Sequence, residues 1–131
     1  MKASLPIRGS DSHGSGAYLA SRGSKKHNGI DFACYEGTKI YPHKYGEVTK
    51  LGYPYNNSQL RYVQVTDEHG YNLRYFYVKP CVKVGDKVTT DDCVGESQTL
   101  QKRYPGITDH IHFEVKFDKS YADPIQFIET L

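Results

Sequence analysis

Two histidines stand one residue apart in the segment His-Ile-His-Phe-Glu-Val at 110–115. The β-branched and aromatic residues around them favour a strand. Side chains alternate between the two faces of a strand, so His110 and His112 point to the same side. Two imidazoles on one face can bind a metal ion or transfer protons, although such a pair alone is a weak signal and more often marks a solvated strand face.

A second group of similar chemistry lies nearer the N-terminus, in His-Asn-Gly-Ile-Asp-Phe at 27–32. His27 and Asp31 are four residues apart, and the Gly-Ile pair between them argues against a helix. In an extended segment these two side chains again share a face. With one histidine of the 110–112 pair they supply two imidazole nitrogens and one carboxylate oxygen. This set is typical of a catalytic zinc site that keeps one position open for water, whereas calcium and magnesium prefer oxygen ligands.

Strands are the elements that must position these residues. The chain has 131 residues, 37% of them hydrophobic and 24% charged, so we expect a single packed domain over 1–131. We therefore predict a mainly β fold with little helix, in which an antiparallel sheet forms the core and a groove carries the zinc site. The runs that predict strands are 29–34, 38–42, 46–53, 60–66, 72–80, 82–88, 93–97 and 110–117.

Helix signals are few. Residues 97–104 predict two helical turns with Ser97 as the N-cap, and residues 123–131 predict a terminal helix with Pro124 in its first turn. Residues 1–26 are rich in Gly and Ser and predict a loop-rich N-terminal arm.

Composition limits the classes of partner that the protein is expected to bind. A formal net charge of +2 is too small to indicate nucleic-acid binding, and no apolar stretch approaches the length of a membrane span. The three cysteines, at 34, 81 and 93, have irregular spacing, which favours free, reduced thiols that do not bind zinc. The first residues lack the apolar core of a signal peptide.

The motifs together resemble a known family. His-Asn-Gly-Ile-Asp-Phe, Val-Lys-Val-Gly-Asp-Lys-Val, Val-Gly-Glu-Ser, His-Ile-His-Phe-Glu-Val and Ala-Asp-Pro-Ile-Gln-Phe-Ile occur in the order seen in lysostaphin/LytM-type zinc metalloendopeptidases. Those enzymes cut peptide cross-links of bacterial peptidoglycan. The resemblance implies one Zn²⁺ held by His27, Asp31 and His112, with His110 transferring protons during catalysis.

One position departs from the family pattern. The family usually carries a further catalytic histidine in a Tyr-x-His pair, and the matching residues here are Tyr75 and Tyr77. A phenol can donate a hydrogen bond to an oxyanion, so Tyr77 could keep the stabilising part of that role. Together with the segments at 11–18, 76–80 and 100–107, this change resembles a sub-branch that includes the leukocyte-derived chemotaxin, a zinc-binding protein not regarded as a peptidase.

The resemblance leads to two readings of function. The first is a zinc metalloendopeptidase that hydrolyses peptidoglycan cross-links, and the alternative is a non-catalytic zinc-containing binding or signalling module. The expected substrate-binding residues are His13, Arg22 and Tyr75, and Glu114 could orient a ligand imidazole. The expected partner is a bacterial cell-wall peptide. The expected location is the cell wall, with the protein carried by a phage particle or released.

Overall fold

The computed structural model describes residues 5–9, 16–17, 21–22, 25–26 and 28–131, with the backbone alone at 21–22 and 25–26. Within these ranges the chain forms short strands and a helix near the C-terminus, α1 (Pro124–Glu129). The strands are, in chain order, β1 (Ser21–Arg22), β2 (Lys25–Lys26), β3 (Ile30–Ala33), β4 (Lys39–Ile40), β5 (Gly46–Gly52), β6 (Tyr62–Thr66), β7 (Tyr71–Phe76), β8 (Val78–Pro80), β9 (Lys87–Val88), β10 (Gly95–Ser97), β11 (His110–Phe117) and β12 (Ser120–Ala122).

The largest sheet has the order β12-β11-β7-β6-β5-β9, with β3 added on β11. A smaller sheet has the order β4-β10-β8, and β1 pairs with β2. The pairings are antiparallel. The predicted fold class, mainly β and antiparallel with little helix, is confirmed.

The β6–β7 hairpin shows how the sequence sets the sheet register. The Asp67 carboxylate accepts hydrogen bonds from the N–H groups of His69 (2.9 Å) and Tyr71 (2.8 Å). Gly70 closes the turn with a φ of +87°, a conformation that glycine adopts without steric cost. The turn fixes which residues of β6 and β7 face each other.

β11 is the strand on which both the core and the candidate site depend. One edge pairs with β7 over residues 112–117, and the other pairs with β3 over 110–113 and with β12 over 115–117. Ile111, Phe113 and Val115 point into the hydrophobic core and are at most 1% exposed. Burial of each such side chain contributes about 1.5–3 kcal/mol. The alternate residues, among them the two histidines, share the opposite face.

The terminal helix is confirmed, but the helix predicted at 97–104 is wrong. The Asp123 carboxylate caps α1 by accepting from the N–H groups of Ile125 and Gln126, and proline stands in the first turn. Ser97 instead ends β10, and its hydroxyl donates to the Tyr35 carbonyl (2.9 Å). With its backbone paired in β10 and its hydroxyl bonded to the Tyr35 carbonyl, Ser97 caps no helix. In the described part of the chain, no helix combines the length and apolar character needed to cross a membrane.

Candidate metal centre

Asp31 and His112 face each other across the β3–β11 ladder. They are directly opposed residues in the antiparallel register, and Asp31 Oδ1 lies 3.0 Å from His112 Nδ1. Both side chains are largely buried. The structure therefore brings together two of the three expected zinc ligands, a carboxylate and an imidazole nitrogen directed at each other.

Glu114 holds the other nitrogen of the same imidazole. Its Oε1 atom lies 2.9 Å from His112 Nε2, and its Oε2 atom accepts from Arg74 Nη1 at 3.3 Å. Arg74 is held in turn by Gln64, whose Oε1 accepts from Arg74 Nε at 2.8 Å. A carboxylate that keeps the proton on Nε2 leaves Nδ1 as the nitrogen available to a metal ion. The expectation that Glu114 could orient a ligand imidazole agrees with these contacts.

These contacts also shift the pKa of His112. Burial lowers the pKa, but the hydrogen bonds to Asp31 and Glu114 and the two negative charges outweigh it and raise the pKa to about 9. Without a metal the imidazole therefore carries a proton on both nitrogens at neutral pH. A metal ion that binds Nδ1 must displace one of them.

Arg8 is a site residue that the sequence did not reveal. Its Nε atom lies 3.1 Å from Asp31 Oδ2, and the guanidinium is almost completely buried. The segment that carries Arg8 lies along β3, because the Arg8 N–H donates to the Asp31 carbonyl and the Ala33 N–H donates to the Pro6 carbonyl, each at 2.7 Å. A single arginine in a loop-like segment belongs to no spaced motif, so the sequence does not identify it as a site residue.

Gly29 shows how closely the segment that follows His27, the third expected zinc ligand, approaches His112. A Cβ atom on Gly29 would lie 2.8 Å from Cε1 and 2.9 Å from Nε2 of His112, too close for any side chain. The glycine therefore lets the chain just after position 27 pass against the imidazole. His27 itself falls outside the described residues.

The donor chemistry fits zinc. Within the described ranges, no group of three or more His, Cys, Asp and Glu side chains is placed to hold a metal ion. Asp31 and His112 supply one oxygen and one nitrogen, and a third ligand from position 27 would complete the set expected for zinc. Glu114 supplies the carboxylate partner that metal-binding imidazoles usually have.

His110 lies beside this pair with one nitrogen already occupied. Its Nδ1 lies 2.7 Å from the Thr108 carbonyl oxygen, which can only accept, so Nδ1 carries the proton. Its Nε2 lies 3.4 Å from Asp31 Oδ2. Burial lowers the pKa of His110, so the ring is neutral at neutral pH and Nε2 has a free lone pair. This is the state that a general base requires.

Tyr77 stands edge-on to His110, with ring centroids 5.6 Å apart and planes at 82°. Its hydroxyl lies 2.9 Å from the Tyr55 hydroxyl, which also accepts from the Tyr104 hydroxyl at 2.9 Å. Burial, the first cause, and the neighbouring tyrosines raise the pKa of Tyr77 well above its ordinary value. The backbone at Tyr77 has a φ of +69°, unusual for a large side chain.

Of the other predicted site residues, Tyr75 is the one whose side chain the structure describes. Tyr75 is fully buried and shares a face with Phe113, opposite His112, so its position does not fit the expected substrate-binding role. Its hydroxyl bonds to His43, with 2.8 Å to the His43 backbone nitrogen. His13 falls outside the described residues. Arg22 lies in β1, where only the backbone is described.

Comparisons with known proteins agree on one family. Residues 25–124 match peptidase family M23. The chain is 36% identical over 115 residues to leukocyte cell-derived chemotaxin-2 of Bos taurus, which covers 86% of this chain and 75% of that protein. The chain belongs to peptidase family M23, which confirms the resemblance that the motifs predicted.

Solved structures show the same fold. LytU superposes with a TM-score of 0.71 at 29% identity, over all of this chain and 89% of that one. Lysostaphin, the antimicrobial peptidase from Staphylococcus simulans, superposes with a TM-score of 0.72 at 21% identity. That match covers 96% of this chain but only 50% of lysostaphin, and it supports the fold alone.

Proposed function

We propose that this chain is a zinc-holding domain of family M23 that binds peptides and hydrolyses them weakly or not at all. The observation that carries this proposal is the state of Tyr77. Where the family pattern usually has a catalytic histidine, the chain presents a buried phenol whose hydroxyl bonds to Tyr55. A second titratable imidazole is therefore replaced by a group that holds its proton.

The phenol differs from an imidazole in two respects. With its pKa raised by burial, Tyr77 cannot accept a proton at neutral pH. The Tyr77 hydroxyl lies 2.9 Å from the Tyr55 hydroxyl, in a cluster that includes Tyr104, and either oxygen of the Tyr55–Tyr77 pair can be the donor. Where Tyr77 is the donor, it must give up this bond to donate to a developing oxyanion. Breaking that contact to stabilise a transition state costs energy that a preorganised donor would not lose.

The relative of Bos taurus supports the same reading. At 36% identity over 86% of this chain, its name describes a chemotaxin and not a wall-degrading enzyme. That name favours a binding or signalling role for this domain. Zinc in such a domain would order the β3–β11 ladder and offer a Lewis-acidic position for a peptide carbonyl or carboxylate. His27, Asp31 and His112 would hold it.

Bacterial cell-wall peptides are the ligands that we propose for this domain. Peptides are the ligand class that a peptidase family implies. Binding to wall peptides would place the protein at the cell wall, whether a phage particle carries it or it is released there.

Peptidoglycan hydrolysis is the second candidate, and His110 favours it. A neutral imidazole with Nδ1 fixed by Thr108 and Nε2 directed toward Asp31 is suited to accept a proton from a nucleophilic water. In this reading His110 acts alone as base and acid, and turnover lacks the contribution of a second histidine.

One experiment separates the two candidates. Purified zinc-loaded protein is assayed for retention on purified peptidoglycan and for release of soluble fragments, beside a Tyr77→His variant. We expect wild type to be retained without releasing fragments. Tyr77→His should release them, because it restores the usual pattern.

The matched control is Tyr35→His, the same chemical change at a side chain that is 91% exposed. It should behave as wild type. Turnover by wild type comparable to that of Tyr77→His would overturn the binding reading in favour of hydrolysis. Failure of wild type to be retained on any wall type would contradict wall peptides as the ligand.

A further inference from the structure

Cys81 and Cys93 are 12 residues apart in the sequence and come together where β8 and β10 pair. Pro80 ends β8 and Gly95 begins β10, and these two residues are directly opposed. The pairing continues one step further, because the Cys81 N–H donates to the Val94 carbonyl at 3.0 Å. Cys81 and Cys93 therefore lie at the same end of the β8–β10 ladder, Cys81 just after β8 and Cys93 shortly before β10.

The Cys81 side chain reaches across to Cys93. The Cys81 thiol donates to the Cys93 carbonyl oxygen with 3.2 Å between Sγ and O. The Cys93 thiol donates to the Gly95 carbonyl, also at 3.2 Å. Cys81 is exposed and Cys93 is half-buried, so a small reagent can reach the first of them from solvent.

We propose that Cys81 and Cys93 form a dithiol site that a low-molecular-weight disulfide oxidises to an internal disulfide. The thiolate of one cysteine attacks a sulfur of the reagent, and a mixed disulfide forms as one reagent thiol leaves. The second cysteine, as thiolate, attacks the protein sulfur of that mixed disulfide and expels the second reagent thiol. Two protein thiols are oxidised, one reagent disulfide is reduced to two thiols, and two protons pass to the leaving sulfurs.

The rate should follow the protonation of the thiols. Partial desolvation of its sulfur raises the pKa of Cys81, and the nearby Cys93 side chain raises it further. Since the thiolate is the attacking species, exchange should be slow at neutral pH and faster in alkaline solution.

The cross-link would act on a part of the fold that leads to the candidate site. It would close the loop 82–92 and tie β8 to β10. β8 follows Tyr77 directly, and the Gln98 N–H just after β10 donates to the Tyr77 carbonyl at 2.8 Å. The disulfide would thus brace the strand pair that holds Tyr77 beside His110.

The test treats the reduced full-length chain with excess glutathione disulfide at alkaline pH. We expect loss of two of the three free thiols, a mass decrease of two hydrogen atoms, and one cross-linked peptide that joins Cys81 to Cys93. Cys34→Ser is the matched control, and it should form the same cross-link and retain no free thiol.

Cys81→Ser and Cys93→Ser should form no internal disulfide, and the remaining member of the pair should hold one glutathione. The proposal is overturned if wild type keeps three free thiols. It is also overturned if both positions carry separate glutathione adducts, or if the cross-link involves Cys34.

Discussion

Arg8 and Asp31 form a buried ion pair, with 3.1 Å between Arg8 Nε and Asp31 Oδ2 and at most 4% of either side chain exposed. The same two residues are joined through their backbones by the hydrogen bond from the Arg8 N–H to the Asp31 carbonyl. The expected zinc ligand on β3 is thus oriented by a cation from the N-terminal segment. Among the described side chains, removal of that cation would leave the buried carboxylate beside the His110 and His112 imidazoles.

We expect Arg8→Ala to destabilise the metal-free protein by less than the about 3–5 kcal/mol that an uncompensated buried charge costs, because the protonated His112 still faces Asp31. The loss should be smaller with zinc bound, because the metal ion supplies positive charge to Asp31. Urea unfolding with and without a chelator measures both values. Arg103→Ala, a substitution at an exposed arginine stacked over Tyr55, should cost only about 1 kcal/mol or less in either state. Equal losses with and without zinc would contradict the proposed charge compensation.

The ligand assignment predicts loss of zinc from single substitutions. His27→Ala, Asp31→Ala and His112→Ala should each retain far less than one equivalent of zinc, because each removes a protein ligand. Metal analysis after gel filtration measures the content. His69→Ala, at a ring that is 66% exposed, should retain the wild-type content. A full equivalent in any of the three variants would remove that residue from the set.

Glu114 should affect zinc affinity without being a ligand. Glu114→Ala removes the acceptor that keeps the proton on His112 Nε2, and such changes typically cost 10- to 100-fold in metal affinity. Glu114→Gln keeps an acceptor oxygen and should cost less. Competition with a chromogenic chelator gives the dissociation constants. Glu129→Gln, at an exposed position on α1, is the control, and an unchanged affinity in Glu114→Ala would rule out the orienting role.

The metal-free protein should lose stability as the pH rises. The pKa of His112 is about 9 in the fold against an ordinary 6.5, so the folded state holds this proton more tightly than the unfolded state does. The resulting stabilisation is fully present below pH 6.5 and is lost as the pH rises through about 9. Urea midpoints measured in chelator across this range should fall for wild type. His112→Gln should show no such dependence. A wild-type urea midpoint that does not change with pH would contradict the assigned role of His112.

If the zinc-loaded protein hydrolyses peptides at all, His110 should dominate the rate. His110→Ala should keep its zinc yet lose about 10²- to 10⁴-fold in turnover, the usual value of general acid–base help. Tyr77→Phe removes only the hydroxyl, which lies 2.9 Å from the Tyr55 hydroxyl, and we expect it to leave turnover unchanged. Fragment release from labelled peptidoglycan measures both. A loss of about 10²-fold in Tyr77→Phe would instead identify the phenol as an oxyanion donor.

The sequence predicted the parts of this fold that depend on local pattern. Alternation of apolar and polar residues identified β11 and the shared face of His110 and His112. Pro124 marked the first turn of α1. The His-x-x-x-Asp spacing placed Asp31 on an extended segment, and the structure pairs it with His112.

What the sequence did not predict depends on contacts between distant segments. Arg8 packs on Asp31 across 23 residues, and no periodicity marks such a contact. Cys81 and Cys93 meet only because the β8–β10 register brings them together. Tyr75 was expected near the substrate, but the strand period places it on the opposite face from His112. Ser97 has the composition of a helix cap, yet strand pairing takes precedence over that local preference.

The position of β3 has a consequence for how the candidate site opens. β3 lies off the main path of the large sheet, held by the first half of β11 on one side and by the short segment at 5–9 on the other. A short strand outside the main path of a sheet can open in a sub-global event that leaves the central strands intact. Asp31 could then separate from His112 while β6, β7 and β11 stay assembled. The lifetime of the metal centre would be that of a single docked strand, and amide protons on β3 should exchange with solvent before those at the centre of the sheet.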